Sequence, residues 1–315
     1  MPKNILSVYF VNKHFIVISN KYDAAGNQTL EQTMIISPPI IHTVQNEYDA
    51  NNQLVKTTER EGGTTGTIIN SSEYAYNSEG QRVSKIVNGE NTNYYYQGGT
   101  LLYTTDADGN KTSQNIVGLE GNIIATIRYD NGQHAYFYNK DIRTSVVNII
   151  DESGNGVVSY RYDDFGATSK YGDEDFYNEV CYTSGIYDEV TEQYYFNARY
   201  YDSENLMFLT QDSYRGEQDD YGTWNLYAYC AGNPIIYVDP SGHNALAVPL
   251  YTFGASNAWN PIGWIALGTA GVVTIGSTIY MGAKAYEVYK VRKISRTKVK
   301  VKVRAKVYLM WYKKS

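Results

Sequence analysis

The chain has 315 residues, which is enough for about two domains and a sizeable buried core. It contains 33 Tyr against 8 Phe, and 27 Gly against 7 Pro, a composition typical of many short strands joined by tight turns rather than of a helical protein. The low content of charged residues favours a secreted or surface protein over a cytosolic enzyme.

The N-terminal stretch 5–19, ILSVYFVNKHFIVIS, is apolar but interrupted by Asn12, Lys13 and His14. It also lacks a small-residue cleavage site, so it is not a convincing signal peptide. We expect one or two strands here. If the protein is secreted from a bacterium, we expect another route or a missing N-terminus.

A repeat centred on tyrosine runs through the first two-thirds of the chain. Each unit has an aromatic residue, often Tyr-Asp, followed by Asn, Asp or Gly at turn positions, and the units recur every 25–33 residues. Alternating runs such as TNYYYQ flank the turns and predict strands with one aromatic face. We therefore predict an array of β-hairpins, degenerate over 1–69 and regular over 70–186. The repeats begin at Tyr22, Tyr48, Tyr76, Tyr103, Tyr129, Tyr162 and Tyr187.

No cofactor or metal site is expected. Cys181 and Cys230 are too few for a disulfide framework; we expect two buried thiols, although spacing alone does not exclude a bridge between them. The segment DADGN at 106–110 resembles the start of a calcium loop but lacks the acidic twelfth residue, so a hairpin turn is expected. The four histidines show no metal-binding spacing with the cysteines. They are His14, His42, His134 and His243.

The segment 187–242 contains the most specific pattern, YDEVTEQYYFNARYYDSENLMFLTQD followed after ten residues by TWNLYAYCAGNPIIYVDPSG. It resembles the core module that ends the shell of Rhs and YD-repeat proteins, the C-terminal Rhs repeat-associated core domain of polymorphic toxins. The resemblance implies a mainly β fold, part of a β-shell built from YD-repeat hairpins, with the core module at 187–243. It also implies that a variable C-terminal segment follows, which the shell encloses.

The family resemblance implies one reaction, self-cleavage just after the core module by an aspartyl-protease-type site. Carried over to this sequence, the two carboxylates are Asp212 and Asp239, and the bond cut is His243–Asn244. Two carboxylates suit the chemistry, because one can activate water while the other protonates the leaving group. The alternative is structural: Asp-Pro-Ser-Gly is also an ordinary turn sequence.

This sequence departs from the family's site in three ways. Gln211 precedes Asp212 where the family often has Arg, His243 stands where many members have Leu, and an insert separates the two carboxylates. Arg199 or Arg215 is a candidate replacement for the missing cation.

After Gly242 the composition changes. No charged residue occurs from Asn244 to Ala283, and the run 261–283 is long enough to cross a bilayer as a helix, although a buried helical hairpin or buried strands also fit. The whole variable region, 244–315, therefore divides into an apolar segment at 245–283, for which we expect helix, and a basic tail at 284–315.

The basic tail accounts for a strong charge asymmetry within the overall net charge of −6. It holds 12 of the 27 Lys and Arg and one of the 33 acids. Its stretch 297–307 alternates basic and apolar residues, which predicts a strand. The basic stripe is expected to be a solvated or edge-guarding face; membrane-surface contact stays open, and we do not expect it to bind nucleic acid.

Three functions are consistent with this sequence. The first is the shell of a bacterial Rhs-type toxin that acts on competing cells and releases its own C-terminal segment; the sequence does not identify an immunity protein. The second is a non-catalytic cell-surface or wall-associated module that binds carbohydrate through exposed Tyr. The third is a membrane-active or truncated payload in 244–315, because that region contains no Asp, His or Cys and one acid, Glu287, too few groups for a conventional enzyme.

Overall fold

The computed structural model describes residues 4–11, 14–36, 39–118, 122–130, 132–216, 221–243 and 246–247. Fifteen consecutive strands form one antiparallel sheet in which each strand pairs with its neighbours in the sequence. They are β1 Asn4–Val11, β2 His14–Tyr22, β3 Gln28–Ile36, β4 Pro39–Tyr48, β5 Leu54–Glu61, β6 Thr67–Tyr76, β7 Arg82–Val87, β8 Glu90–Gln97, β9 Thr100–Thr105, β10 Lys111–Val117, β11 Ile123–Arg128, β12 His134–Lys140, β13 Val146–Ile150, β14 Gly156–Tyr162 and β15 Thr168–Gly172.

A second, smaller set of elements follows β15. A four-stranded antiparallel sheet and a two-stranded hairpin are connected by loops and three short 3-10 helices. The strands are β16 Ile186–Asp188, β17 Gln193–Phe196, β18 Arg199–Asp202, β19 Met207–Phe208, β20 Tyr237–Val238 and β21 Leu246–Ala247, and the 3-10 helices are Tyr182–Ser184, Tyr221–Trp224 and Tyr229–Gly232. We call residues 173–243 the inner segment.

The predicted mainly β fold is confirmed, and so is the prediction of strands in the N-terminal apolar stretch. The possible membrane span at 261–283 and the basic tail at 284–315 lie outside the described residues. Within the described residues, no helix has both the length and the apolar character needed to cross a bilayer.

The repeat unit is a turn closed by an Asp or Asn side chain. In the example at 106–110, Asp106 Oδ1 accepts the backbone N–H groups of Asp108 at 3.0 Å and Asn110 at 2.8 Å. Gly109 has a φ of 83°, a conformation that costs glycine little. The predicted hairpin turn at DADGN is therefore confirmed. The same two side-chain bonds recur at Asp49, Asn77, Asp141, Asp151 and Asp163.

Tyrosine hydroxyls tie successive repeats together. In three units, the Tyr directly before the turn donates a hydrogen bond to the backbone of an earlier unit. The acceptor is the carbonyl of the residue five positions after the Asp that closes the earlier turn. The pairs are Tyr48 to Gln28 at 3.0 Å, Tyr76 to Leu54 at 2.6 Å and Tyr162 to Val146 at 2.6 Å. Because the side-chain periodicity of a strand leaves no freedom for slippage once one face is buried, these bonds reinforce a single register.

The long sheet curves around the inner segment. Its aromatic side chains contact that segment from strands far apart in the sheet, as in the ring pairs Tyr22–Tyr227, Tyr74–Tyr200 and Tyr162–Tyr182. A flat sheet of fifteen strands would be ~70 Å wide at a spacing of ~4.8 Å per strand. Contacts from β2, β6 and β14 to one small segment therefore require curvature.

The core of the inner segment is built mainly from tyrosine rather than leucine. Tyrosine is tolerated there because the buried hydroxyls find hydrogen-bond partners. Tyr182, Tyr194 and Tyr201 are fully buried. Their hydroxyls donate to backbone carbonyls of the single turn at 163–166, at 2.8, 3.2 and 2.8 Å. A buried hydroxyl without such a partner would destabilise the fold.

The two cysteines are free and buried, as expected, and burial raises the pKa of the Cys181 thiol to about 12.

A buried charge cluster fastens β7 to the inner segment. Lys85 Nζ lies 2.5 Å from Glu179 Oε1 and 2.9 Å from Asp188 Oδ1, and Arg82 Nη1 lies 2.5 Å from Asp188 Oδ2. All four side chains are buried, with two positive and two negative charges. Burial disfavours the charged form of Glu179, but the charges of Lys85 and Arg82 outweigh it and lower its pKa to about 2.

Candidate functional site

Asp212 lies in the loop after β19, where hydrogen bonds to backbone groups fix its position. Its N–H donates to the carbonyl of Leu226 at 2.9 Å, and its Oδ1 accepts the N–H of Tyr214 at 3.0 Å. The first bond connects two loops of the inner segment and the second closes a local turn. The carboxylate is therefore fixed where β19 ends.

Asp239 begins the turn that follows β20. Its Oδ1 accepts the Ser241 hydroxyl at 3.2 Å and the His243 N–H at 3.1 Å, and the side chain is buried. The repeat turns contain the same bond, from the Asp side chain to the backbone N–H four residues later. Asp-Pro-Ser-Gly therefore also forms a structural turn. The hairpin partner of β20 is β21, with Val238 opposite Leu246. The predicted cleavage bond, His243–Asn244, consequently lies in the connection between two paired strands.

Arg199, at the start of β18, lies between the two carboxylates. Its Nη2 is 2.6 Å from Asp212 Oδ2 and 3.7 Å from Asp239 Oδ2, and its Nε donates to the carbonyl of Gly242. The guanidinium also lies over the Phe208 ring, 3.6 Å from its centre. Burial lowers the pKa of Arg199, although the two carboxylates favour its charged form.

Arg215, the other candidate cation, is placed differently. It is exposed and donates to Gln211 Oε1 at 3.3 Å. Of the two arginines, it is Arg199 that forms ion pairs with Asp212 and Asp239.

His243 contacts both aspartates. Its backbone N–H donates to Asp239, and its ring Nδ1 lies 3.2 Å from Asp212 Oδ1. The side chain is 41% exposed, so water can reach this end of the site. Asn244, the residue beyond the predicted bond, lies outside the described residues.

These positions allow acid–base chemistry on a peptide bond. Asp239 and Arg199 bond to the backbone at 242–243, and Asp212 contacts the His243 ring. The arginine lies between the two acids and reduces the repulsion between them. Buried donors and charges of this kind act more strongly than they do in water. Among the described residues, no group of three or more His, Cys, Asp or Glu is arranged to hold a metal ion.

Some contacts of the site were not predicted. The Phe208 ring beneath Arg199 and the Leu226 carbonyl, which accepts from Arg199 Nη1 at 3.1 Å, position the cation. No sequence pattern marks them, because both belong to segments separated in the chain from Arg199. Nor was the buried cluster of Arg82 and Lys85 predicted.

Gly242 provides a prediction for this turn. Its φ is 73°, and a Cβ there would overlap the carbonyl oxygen of Phe196 and come within 3.1 Å of the Arg199 nitrogen. Gly154→Ala is a matched control, because Gly154 has a φ of 83° with nothing within 4 Å of the added carbon. We expect the control to cost ~1–2 kcal/mol from backbone strain alone, and Gly242→Ala to cost more, as measured by urea unfolding. Equal losses would show that the turn at 239–243 is not closely packed against β17 and β18.

The fold and site together define a segment of a YD-repeat β-shell with a carboxylate pair at its C-terminal end. Residues 104–235 match the family model of the Teneurin YD-shell. The chain is 33% identical over 280 residues to the tRNA nuclease WapA of Bacillus subtilis strain 168, a match covering 86% of this chain and 11% of that protein. It is also 33% identical over 277 residues to the tRNA3(Ser)-specific nuclease WapA of Bacillus spizizenii, covering 84% and 11%.

Among solved structures, the crystal structure of TcdB2-TccC3 matches 73% of this chain and 14% of that chain, with a TM-score of 0.50 and 16% identity. This likeness concerns the fold alone. The chain belongs to the Rhs/YD-repeat family, and it spans about a tenth of the length of the curated relatives it matches.

Proposed function

We propose that this chain is the C-terminal part of the shell of a bacterial Rhs-type toxin, which encloses its own C-terminal segment and cuts itself after His243. The observation that carries the proposal is that Asp239 and Arg199 both bond to the backbone at Gly242 and His243, while Asp212 pairs with Arg199 and lies against the His243 ring. The three charged residues come from separate segments of the chain, and they meet next to the bond at which the family resemblance implies cleavage.

The proposed reaction is hydrolysis of the His243–Asn244 peptide. A water molecule adds to the carbonyl carbon of His243, and one aspartate accepts its proton. The other aspartate, which starts in its protonated form, supplies its proton to the nitrogen of Asn244 as the C–N bond breaks. The products are a carboxylic acid on His243, which releases its proton to solvent, and an amine on Asn244. Because the substrate is part of the same chain, the reaction is unimolecular and gains the advantage of fixed orientation.

The partner in this account is the chain's own C-terminal segment. The hairpin supports it, because β21 lies beyond the bond and pairs with β20, so a cut would leave the segment paired with the shell. The relatives are named as nucleases, but the composition of 244–315 does not suit a conventional nuclease. This segment has one acidic residue and no His or Cys. We place the protein outside the cell or on its surface, where an Rhs-type toxin would act.

The intact mass of the purified full chain tests the proposal. We expect two products, 1–243 and 244–315, that remain together in native buffer and separate in denaturant. A single species with the mass of the uncut chain would contradict self-cleavage.

A carbohydrate-binding role is the second candidate, supported by one aromatic site. Tyr95 on β8 and Tyr103 on β9 stack with ring centres 4.3 Å apart, and both line an open groove of about 420 Å³ that Asn77 and Glu79 also border. Tyr95 is exposed and Tyr103 half-buried, and such a stacked pair with polar neighbours suits a sugar ring. Tyr95→Ala should then weaken binding to cell-wall polysaccharide, with Tyr171→Ala as an exposed control. Binding that is absent or unchanged would remove this candidate.

A further inference from the structure

A lysine and a serine that the proposed cleavage does not use lie in hydrogen-bond contact. Lys140 is the last residue of β12, and Ser184 is the last residue of the first 3-10 helix of the inner segment. The Nζ of Lys140 lies 2.9 Å from the Oγ of Ser184. Both residues are half-buried rather than fully enclosed, so small solutes have access to this contact.

The surroundings of Lys140 favour its neutral form. Burial lowers the pKa of Lys140 to about 8, and the charge of the adjacent Asp141 opposes this only in part. Asp141 also pairs with Arg143, whose Nε lies 3.6 Å from Asp141 Oδ2. The helix that Lys140 contacts brings two titratable groups, Tyr182 and the preceding Cys181, and burial raises the pKa of both, so they stay uncharged. A neutral lysine can accept a proton.

The backbone around Ser184 has an unusual conformation. Thr183 and Ser184 have φ values of 46° and 60°, and Thr144, on the turn that faces them, has a φ of 65°. Residues other than glycine rarely adopt positive φ, and such strain concentrates at functional sites. The Ser184 hydroxyl donates to the carbonyl of Thr144 at 2.9 Å. This bond fixes the serine oxygen beside the Lys140 amine.

We propose that Ser184 and Lys140 form a nucleophile and base that cleave small carboxylic esters. A serine next to a base is one of the recurring arrangements that activate a hydroxyl, and lysine serves as the base in some of them. The Ser184 oxygen bonds to the ester carbonyl carbon, and its proton passes to Lys140 Nζ. Lys140 returns this proton to the alcohol oxygen as the ester C–O bond breaks. Water then adds to the acyl-serine, which releases a carboxylic acid and restores the hydroxyl.

The backbone next to Ser184 favours esters over amides as substrates. Amide cleavage depends on donors that stabilise the developing oxyanion. The N–H of Ser184 donates to the Cys181 carbonyl at 3.2 Å and that of Gly185 to the Tyr182 carbonyl at 2.8 Å, so both are already engaged. Esters need less help, because an alcohol leaves more readily than an amine. This inference does not rest on the proposed cleavage, since both residues of the pair precede His243 in the chain.

Hydrolysis of p-nitrophenyl acetate by the full chain tests the proposal. We expect p-nitrophenol release that depends on Ser184, and an acetyl group on Ser184 after an acid quench, located by peptide mass spectrometry. Lys140→Arg should slow the Ser184-dependent release by about 10²–10⁴-fold, because arginine still donates to Ser184 but does not accept its proton. Lys170→Arg is the matched control, because Lys170 is a half-buried lysine that bonds to Glu174 and Glu189 instead.

A serine variant and a pH profile complete the test. Ser184→Gly removes the hydroxyl and suits the positive φ, so its release of p-nitrophenol gives the background to be subtracted. The remaining wild-type rate should rise with pH through about 8 and then level off, following the neutral form of Lys140. Equal release by the wild type and Ser184→Gly would overturn the proposal. So would an unchanged rate in Lys140→Arg, a rate that rises without levelling off, or an acetyl group on Lys140 instead of Ser184.

Discussion

Replacing either Asp212 or Asp239 with Asn is expected to stop self-cleavage after His243. An amide neither accepts a proton from water nor donates one to the leaving nitrogen, and loss of one acid–base group typically slows a reaction by about 10²–10⁴-fold. An Asn at 239 still offers an oxygen to the N–H of His243, so the turn should persist. The measurement is a time course of intact mass for each variant beside the wild type.

Asp151→Asn is the matched control for these variants. Asp151 closes a repeat turn by accepting the backbone N–H groups two and four residues further on, at 2.9 and 2.8 Å. Asp212 makes the first of these bonds and Asp239 the second, but Asp151 belongs to the long sheet, directly after β13. Asn77 fills the equivalent position in another repeat, which shows that Asn supports the turn. We expect Asp151→Asn to cleave as the wild type does. Cleavage at wild-type rate in Asp212→Asn and Asp239→Asn would exclude carboxylate catalysis.

The second large effect is expected at Lys85. Lys85→Met leaves Glu179 and Asp188 buried with one cation between them, and breaking a buried ion pair by removing one partner costs about 3–5 kcal/mol. We expect the midpoint of urea unfolding to fall accordingly. Lys56→Met is the control, because Lys56 pairs with Glu73 at 2.7 Å on the exposed surface, where such a pair contributes about 0–1 kcal/mol. Equal losses in the two variants would mean that the buried cluster does not stabilise the fold.

The stabilising effect of Lys85 is expected to depend on pH. The folded-state pKa of Glu179 is lowered from 4.5 to about 2, so its contribution to the free energy of unfolding is complete above the higher value. That contribution is lost as the pH falls through this window toward 2. Because Lys85 is the main cause of the lowering, the wild type should lose more stability between these pH values than Lys85→Met does. A wild type whose acid-induced loss equals that of the variant would contradict this.

The repeat turns could be predicted from sequence because they depend on local chemistry. An Asp or Asn that bonds its own backbone, followed by a residue such as Gly109 that accepts positive φ, defines each hairpin within five residues. Consecutive hairpins then pair in sequence order, which accounts for the fifteen-stranded sheet. The partners of the tyrosine hydroxyls were not predictable, because Tyr201 and the carbonyl of Phe165 to which it donates are 36 residues apart.

The residues of the candidate site could be proposed from sequence, but their arrangement could not. Family resemblance implied Asp212 and Asp239, whereas sequence left Arg199 and Arg215 as equal candidates, since the choice depends on how β18 packs against two loops. The buried cluster was not predicted because strand alternation argues against it. Arg82 and Lys85 are three residues apart and should face opposite ways, yet both are buried.

The N-terminal residue of the smaller product tests the central claim most directly. The full chain is purified, the product is separated in denaturant, and its first residues are sequenced. Self-cleavage at the site of Asp212, Asp239 and Arg199 predicts a product that begins Asn244-Ala245-Leu246. A product beginning at any other residue, or no product at all, would contradict it.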